Sequence, residues 1–178
     1  MKRVLIITFY FPPNPTIGSQ RSYRLAKYLP KYGWEPIILI PKLYGELPSN
    51  GMKVVQTEYK DIIKIYKSRL GFDDSKSLRE QLCTANAENF YETLKGKVVK
   101  LLKEIMTFPD QTKGWNKFAL KSAIELLAHE KINAIISSSP PVTTHLIAKK
   151  IKLKTNIPWI ADLRDLWSQN HFNDINNL

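Results

Sequence analysis

Residues 2–29 read KRVLIITFYFPPNPTIGSQRSYRLAKYL: an apolar run, a proline-rich loop and a helical pattern in succession. Val4, Leu5, Ile6, Ile7, Phe9, Tyr10 and Phe11 are nearly continuously apolar, β-branched or aromatic. That is the pattern of a strand covered on both faces, which belongs in the middle of a sheet. The run predicts a strand reaching Phe11, stopped by Pro12 and Pro13, which cannot donate to a ladder, with Pro15 stiffening the loop beyond. Gly18 lets the backbone approach a ligand closely or take positive φ, and Ser19 is the expected N-cap of a helix running through Tyr23, Leu25, Ala26 and Leu29. The N–H groups of that first turn would face the carboxyl edge of the sheet, where open α/β folds hold anions, and Arg21 and Arg24 add charge there. Gly18 and Ser19 can equally do no more than start a helix, and both readings stand at this point.

Working outward, Gly33 is placed as a helix C-terminal cap, Ile37–Ile40 is a second strand closed by Pro41, and Lys53–Glu58 is a third. Strand, helix and strand in this order make a βαβ unit with parallel pairing and a right-handed crossover. From about 59 to 114 the pattern changes to helical segments with polar interruptions, which reads as a helical insertion. Helices are expected from Ile62 to Leu70, from Ser77 to about Asn86, and over Leu94–Met106, where Leu94, Val98, Leu101, Leu102 and Ile105 share one face. The last of these is basic and amphipathic, a form that lies on an anionic membrane or packs against a core with its lysines in water. A helix from about Trp115 to Glu130, a strand Ala134–Ser138, a helix His145–Lys152 capped by Thr143 or Thr144, and a strand Trp159–Asp162 complete the pattern.

The fold class is therefore α/β, a Rossmann-like open parallel sheet with helices on both faces. Three strand exits, 12–19, 137–144 and 162–167, are rich in small, polar or charged residues and converge on the carboxyl side of such a sheet.

At 178 residues the chain suits one domain or one half of a two-domain protein, and 43% hydrophobic with 24% charged residues is an ordinary globular balance. No apolar run is long enough to span a bilayer, and residues 4–11 are too short to be a signal peptide, so the chain reads as cytoplasmic. Cys83 stands alone, which excludes an internal disulfide. A net charge of +11 points to phosphate groups on a partner. With no zinc-finger, RRM or helix-turn-helix signature, a membrane surface or a phosphorylated small molecule ranks above nucleic acid.

Taken together, FYFPP with GSQRSYRLAKYL, the Gly33-Trp34-Glu35-Pro36 turn, Pro109-Asp110 with Trp115 and Ala119, IISSSPPVTTHLIAKK, and IPWIADLRDLW resemble the N-terminal domain of GT-B glycosyltransferases of family 4. The branch is that of capsule, lipopolysaccharide and exopolysaccharide assembly. The resemblance covers nearly the whole chain, residues 1–178, and implies the acceptor-side half of a retaining, metal-independent enzyme. Such an enzyme moves a sugar from a nucleotide diphosphate donor to a lipid-linked or polysaccharide acceptor. A second domain, carrying an E-x7-E motif and most of the donor site, has no counterpart in this sequence, so the chain alone is expected to be nearly inactive. No cofactor is implied beyond the nucleotide-sugar co-substrate.

By position, the resemblance puts Gly18, Ser19 and Arg21 at the donor phosphates, although relatives often carry two adjacent glycines where this chain has Gly18-Ser19. It puts Ser138, Ser139, Thr143, His145 and Trp167 near the acceptor and assigns chemistry to Arg164, Asp162 and Asp165. Relatives often have a histidine where this chain has Ser138-Ser139-Pro140-Pro141, and His145 reads first as helix surface or core and second as a sugar contact. Arg164 suits a diphosphate leaving group, and Asp162 or Asp165 suits a sugar hydroxyl or the orientation of Arg164. An Asp–Arg ion pair tying strand end to helix start is the plainer account of the same residues, and core packing is that of Trp167. The competing functional class is a non-enzymatic Rossmann-like module that binds a nucleotide or a partner protein.

Overall fold

Strand β1 (Lys2–Ile7) occupies the centre of the sheet, as its two-faced apolar run requires, with β2 (Trp34–Pro41) on one side and β4 (Ala134–Ser138) on the other. With β3 (Lys53–Thr57) and β5 (Trp159–Asp162) at the edges, the order is β3-β2-β1-β4-β5 and every pairing is parallel. Helix α1 (Ile17–Tyr28) joins β1 to β2, α2 (Ile62–Arg69) follows β3, α3 (Asn116–His129) precedes β4, and α4 (Thr143–Thr155) joins β4 to β5. These coordinates are a computed structural model that describes residues 1–42, 47, 51–69, 105 and 107–164. The expected helices at 77–86 and 94–106 lie outside the described residues apart from Ile105, as do Cys83, Asp165 and Trp167.

The chain divides into two units. One, Met1–Tyr59 with Trp115–Leu178, holds the sheet, α1, α3 and α4; the other, Lys60–Gly114, holds α2. In the sheet unit the period-two alternation of the strands makes two cores. Leu5, Ile7, Ile37, Leu39 and Ile135 point to the face covered by α3 and α4, where Ala119, Ala123, Ile147, Ala148 and Ile151 meet them. Ile6, Ile38 and Ile40 point to the opposite face, where Ala26 of α1 and Phe11 cover them. Each fully buried leucine and isoleucine among them contributes about 1.5–3 kcal/mol by leaving water. The indole N–H of buried Trp115 donates to Thr57 Oγ1 at 2.7 Å, so the largest core side chain carries no unmet donor there.

Several expected boundaries move. β1 ends at Ile7 instead of Phe11, because the Thr8 hydroxyl donates to the Tyr10 carbonyl at 3.0 Å and turns the chain out of the ladder. Burial outlasts the pairing: Phe9 packs edge-on against Tyr59 and Trp115, and Phe11 against Tyr23. The N-cap of α1 is Thr16, not Ser19; its side chain accepts from Ser19 N at 3.3 Å, which leaves Ser19 three positions inside the helix start. Helix α4 likewise starts earlier than its predicted cap, with Val142 at the cap position and Thr143 and Thr144 inside the first turn. Gly33 does end the first helical segment, at φ 78°. Among the described residues no helix is long and apolar enough to cross a membrane.

Candidate functional site

The strand order reverses between β1 and β4. The connection leaving β1 runs to α1 on one face and the connection leaving β4 runs to α4 on the other, so the two loops diverge and open a crevice outside the strand ends. In open α/β sheets this switch point is where ligands bind. The predicted residues of the first and second exits flank it, and Asp162 and Arg164 reach it from the neighbouring end of β5.

Strand register explains the first group of contacts. Ser138 and Asp162 are direct partners across the β4–β5 pair, so both project to the α1 side, one period beyond Ile136. The Ser138 hydroxyl donates to Asp162 Oδ2 at 2.9 Å, and Arg21 of α1 closes on the same carboxylate, Nε to Oδ2 at 3.0 Å and Nη2 to Oδ1 at 2.5 Å. Ser139 N donates to the Asp162 carbonyl at 3.1 Å, which ties the two strand exits together through the main chain. Partial burial pushes the Asp162 carboxyl up, but the Arg21 and Ser138 hydrogen bonds and the charges of Arg21 and Arg164 outweigh it and hold it below the usual carboxylate value.

Gly18 supplies the second group. A Cβ at this position would stand 2.5 Å from Arg164 Nη1 and 3.5 Å from its Cζ, so the guanidinium occupies the space that a side chain would take at the start of α1. Among the described residues this corner gathers two guanidiniums, one carboxylate and the positive end of a 12-residue helix, a combination suited to an anion. Ser19 contributes less than predicted: its N–H is already taken by the Thr16 hydroxyl and carbonyl, and its own buried Oγ has no partner among the described residues.

On the α4 side of the sheet, Ser137 Oγ lies 2.7 Å from His145 Nδ1 and accepts from Trp159 Nε1 at 2.8 Å. His145 is therefore a core residue at the helix start, 8% exposed, and its Nε2 is buried without a partner among the described residues. A buried polar group left so costs about 1–3 kcal/mol. Burial holds the imidazole pKa below its ordinary value, with the Asp162 charge pulling weakly the other way. Thr144 donates to the carbonyls of Ser138 and Pro141 at 2.9 and 2.8 Å, which fixes the loop, and Thr143 is fully buried in the same turn.

Of the predicted site residues, Gly18, Arg21, Ser138, Ser139, Asp162 and Arg164 thus form one connected set, and His145 stands beside it on the other face. Thr143 and Ser19 lie beneath the surface, and Asp165 and Trp167 lie outside the described residues. Sequence reasoning missed Ser137 and Trp159. The alternation that puts Ile135 toward α4 also puts Ser137 there, which was the available signal. A concavity of about 320 Å³ opens elsewhere, at the amino ends of the strands, lined by Tyr23, Lys27, Glu35, Met52 and Lys53 among others. Glu35 there is engaged with Arg3, and Lys53 with Glu130, so the crevice at the opposite edge is the better candidate.

No protein-family model matches the chain, and no curated protein does either. The class that fold and site define is a Rossmann-like α/β domain with a basic, hydrogen-bonded crevice at its switch point.

Proposed function

We propose that this domain is the acceptor-side half of a retaining glycosyltransferase, acting with a nucleotide diphosphate sugar and a lipid-linked or polysaccharide acceptor. In the transfer, the bond from the anomeric carbon to the diphosphate oxygen breaks, a bond from that carbon to the acceptor oxygen forms, and the acceptor hydroxyl proton passes to the departing oxygen of the nucleoside diphosphate. Arg164 and the start of α1 meet the charge that develops on the leaving group, and Asp162 accepts from a sugar hydroxyl while Ser138 and Arg21 hold it in place. The observation that carries this reading is the Arg164 guanidinium lying on Gly18 beside the Arg21–Asp162 pair.

A lipid-linked acceptor is favoured by the outer surface of α4, where Lys149, Lys150 and Lys154 are exposed around Leu153, itself 76% exposed. Lysines around an exposed leucine suit the anionic face of a membrane, at which the domain would work peripherally.

The test is titration with UDP followed by NMR, comparing the wild-type chain with Arg164→Ala. Losing a charged hydrogen bond to phosphate is expected to weaken binding about 10- to 100-fold. Equal affinity of the two proteins would remove Arg164 from the site. Full sugar transfer by this chain without a second domain would overturn the two-domain reading.

A further inference from the structure

Thr8 is the first residue past β1, and its main chain is still held by the sheet, its N–H donating to the Leu39 carbonyl of β2 at 3.2 Å. Its buried hydroxyl lies 3.0 Å from the Tyr10 carbonyl and 3.0 Å from Oγ of Ser22, a buried residue of α1. A carbonyl can only accept, so the Thr8 hydrogen goes to Tyr10 and Ser22 donates to Thr8 Oγ1. The reverse direction would leave the Ser22 hydrogen buried with no partner among the described residues. The bonds therefore run one way, from α1 through the end of the central strand to its exit loop.

Ser22 stands one turn beyond Gly18 on the buried stripe of α1, which consists of Gly18, Ser19, Ser22 and Ala26. Among the described residues, Ser22 alone on that stripe bonds through its side chain to the strand end, since Ser19 Oγ has no partner. The apolar contacts of Ala26 with the sheet are non-directional and set no fixed position along the helix axis. We infer that Thr8 and Ser22 are positioning residues for the anion-binding corner: their bond fixes where α1 lies along its axis, and so brings Gly18 onto the Arg164 guanidinium and Arg21 onto Asp162. The identity of the ligand rests on the glycosyltransferase reading, and the pin itself does not.

UDP titration and urea unfolding of four variants separate a pin from a merely stabilising contact. Ser22→Ala keeps the Thr8–Tyr10 bond and strands no buried group, so its stability is expected to stay near that of the wild type. Its affinity for UDP is expected to fall about 3- to 10-fold, because one hydrogen bond can bias a position by no more than its own worth. Thr8→Val strands the Ser22 hydroxyl and removes the donor to the Tyr10 carbonyl, and is expected to lower both stability and affinity, while Thr8→Ser restores both. Thr57→Val removes the acceptor of the Trp115 indole elsewhere in the sheet unit and is expected to lower stability alone. Unchanged affinity in Ser22→Ala, or a loss in Thr57→Val equal to that in Thr8→Val, would overturn the inference, and Ser22→Ala decides it if Thr8→Val does not fold. A wild-type chain that does not bind UDP counts against the proposed function, and the pin is then decided by the Arg21 Nε–H resonance, identified by its absence in Arg21→Lys. That resonance is expected to move in Ser22→Ala as the bond to Asp162 is disturbed, and one that stays in place would overturn the pin.

Discussion

Arg21 and Asp162, 141 positions apart in sequence, are joined by a two-pronged ion pair that ties α1 to the end of β5. Because the Arg21 side chain is 56% exposed, a double-mutant cycle between Arg21→Ala and Asp162→Asn is expected to give a coupling of only about 0.5–1 kcal/mol. Asp162→Ala is expected to cost more, about 1–3 kcal/mol, since it also strips buried Ser138 of its acceptor. Urea unfolding of the four proteins of the cycle, and of Asp162→Ala, checks both figures. A coupling above that range would mean the pair is shielded from water in solution.

Gly18→Ala separates the site from the fold. The obstructing atom is the far end of the Arg164 side chain, which can swing away, and the helix gains from losing a glycine. Stability is expected to be unchanged or to rise by about 0.4–1 kcal/mol, while affinity for UDP falls because the Arg164 guanidinium is displaced. A marked loss of stability would show that the guanidinium cannot move, and an unchanged affinity that its position at Gly18 does not matter for binding.

How far the chain could be read without coordinates depended on whether a feature was local. The two-faced apolar run of β1 placed it centrally, and Gly33 ended its helical segment, because burial and backbone conformation are written in neighbouring residues. The apolar run overshoots the end of β1 because hydrophobicity reports burial and not pairing: Phe9 and Phe11 stay in the core after the ladder has stopped. The Ser137–Trp159 bond needs the β4–β5 register, which a slip of one residue would have destroyed, and the contact of Arg164 with Gly18 spans nearly the whole described chain.

Thr16 and Ser19 are both capping residue types three positions apart, and only the first does the capping. Thr16→Ala is expected to cost about 1 kcal/mol, from the lost bond to Ser19 N. Ser19→Ala is expected to be neutral or slightly stabilising, since it removes a buried hydroxyl that has no partner among the described residues. Thermal unfolding of the two variants ranks them; the reverse order would restore Ser19 as the cap.

Flotation with phosphatidylserine vesicles tests the α4 surface. At about 1 kcal/mol for each lysine near an anionic bilayer, replacing Lys149, Lys150 and Lys154 together by alanine is expected to weaken binding on the order of 100-fold. Binding should also fall with added salt. Leu153→Asp should weaken vesicle binding while leaving adsorption to a soluble polyanion in place, because only the bilayer offers an apolar layer to its 76% exposed side chain.

His145 makes stability depend on pH in a window set by its lowered pKa. Burial disfavours the imidazolium in the folded chain, so between the folded value and the ordinary one of about 6.5 the unfolded chain binds more protons. Stability therefore rises with pH through that window, is fully present above about 6.5, and declines as pH falls toward the folded value. Asp162 and Glu35, both held below their ordinary values, act at lower pH, and their contribution is lost as pH drops from about 4 through their own folded values. Urea midpoints measured from about pH 5 to pH 7.5 should climb in the wild type, flatten in His145→Gln, and climb at least as steeply in Asp162→Asn, where the carboxylate no longer raises the imidazole pKa. A wild-type midpoint that stays level across this interval would place the imidazole in contact with water, and the buried hydrogen-bond chain from Trp159 through Ser137 would lose its basis.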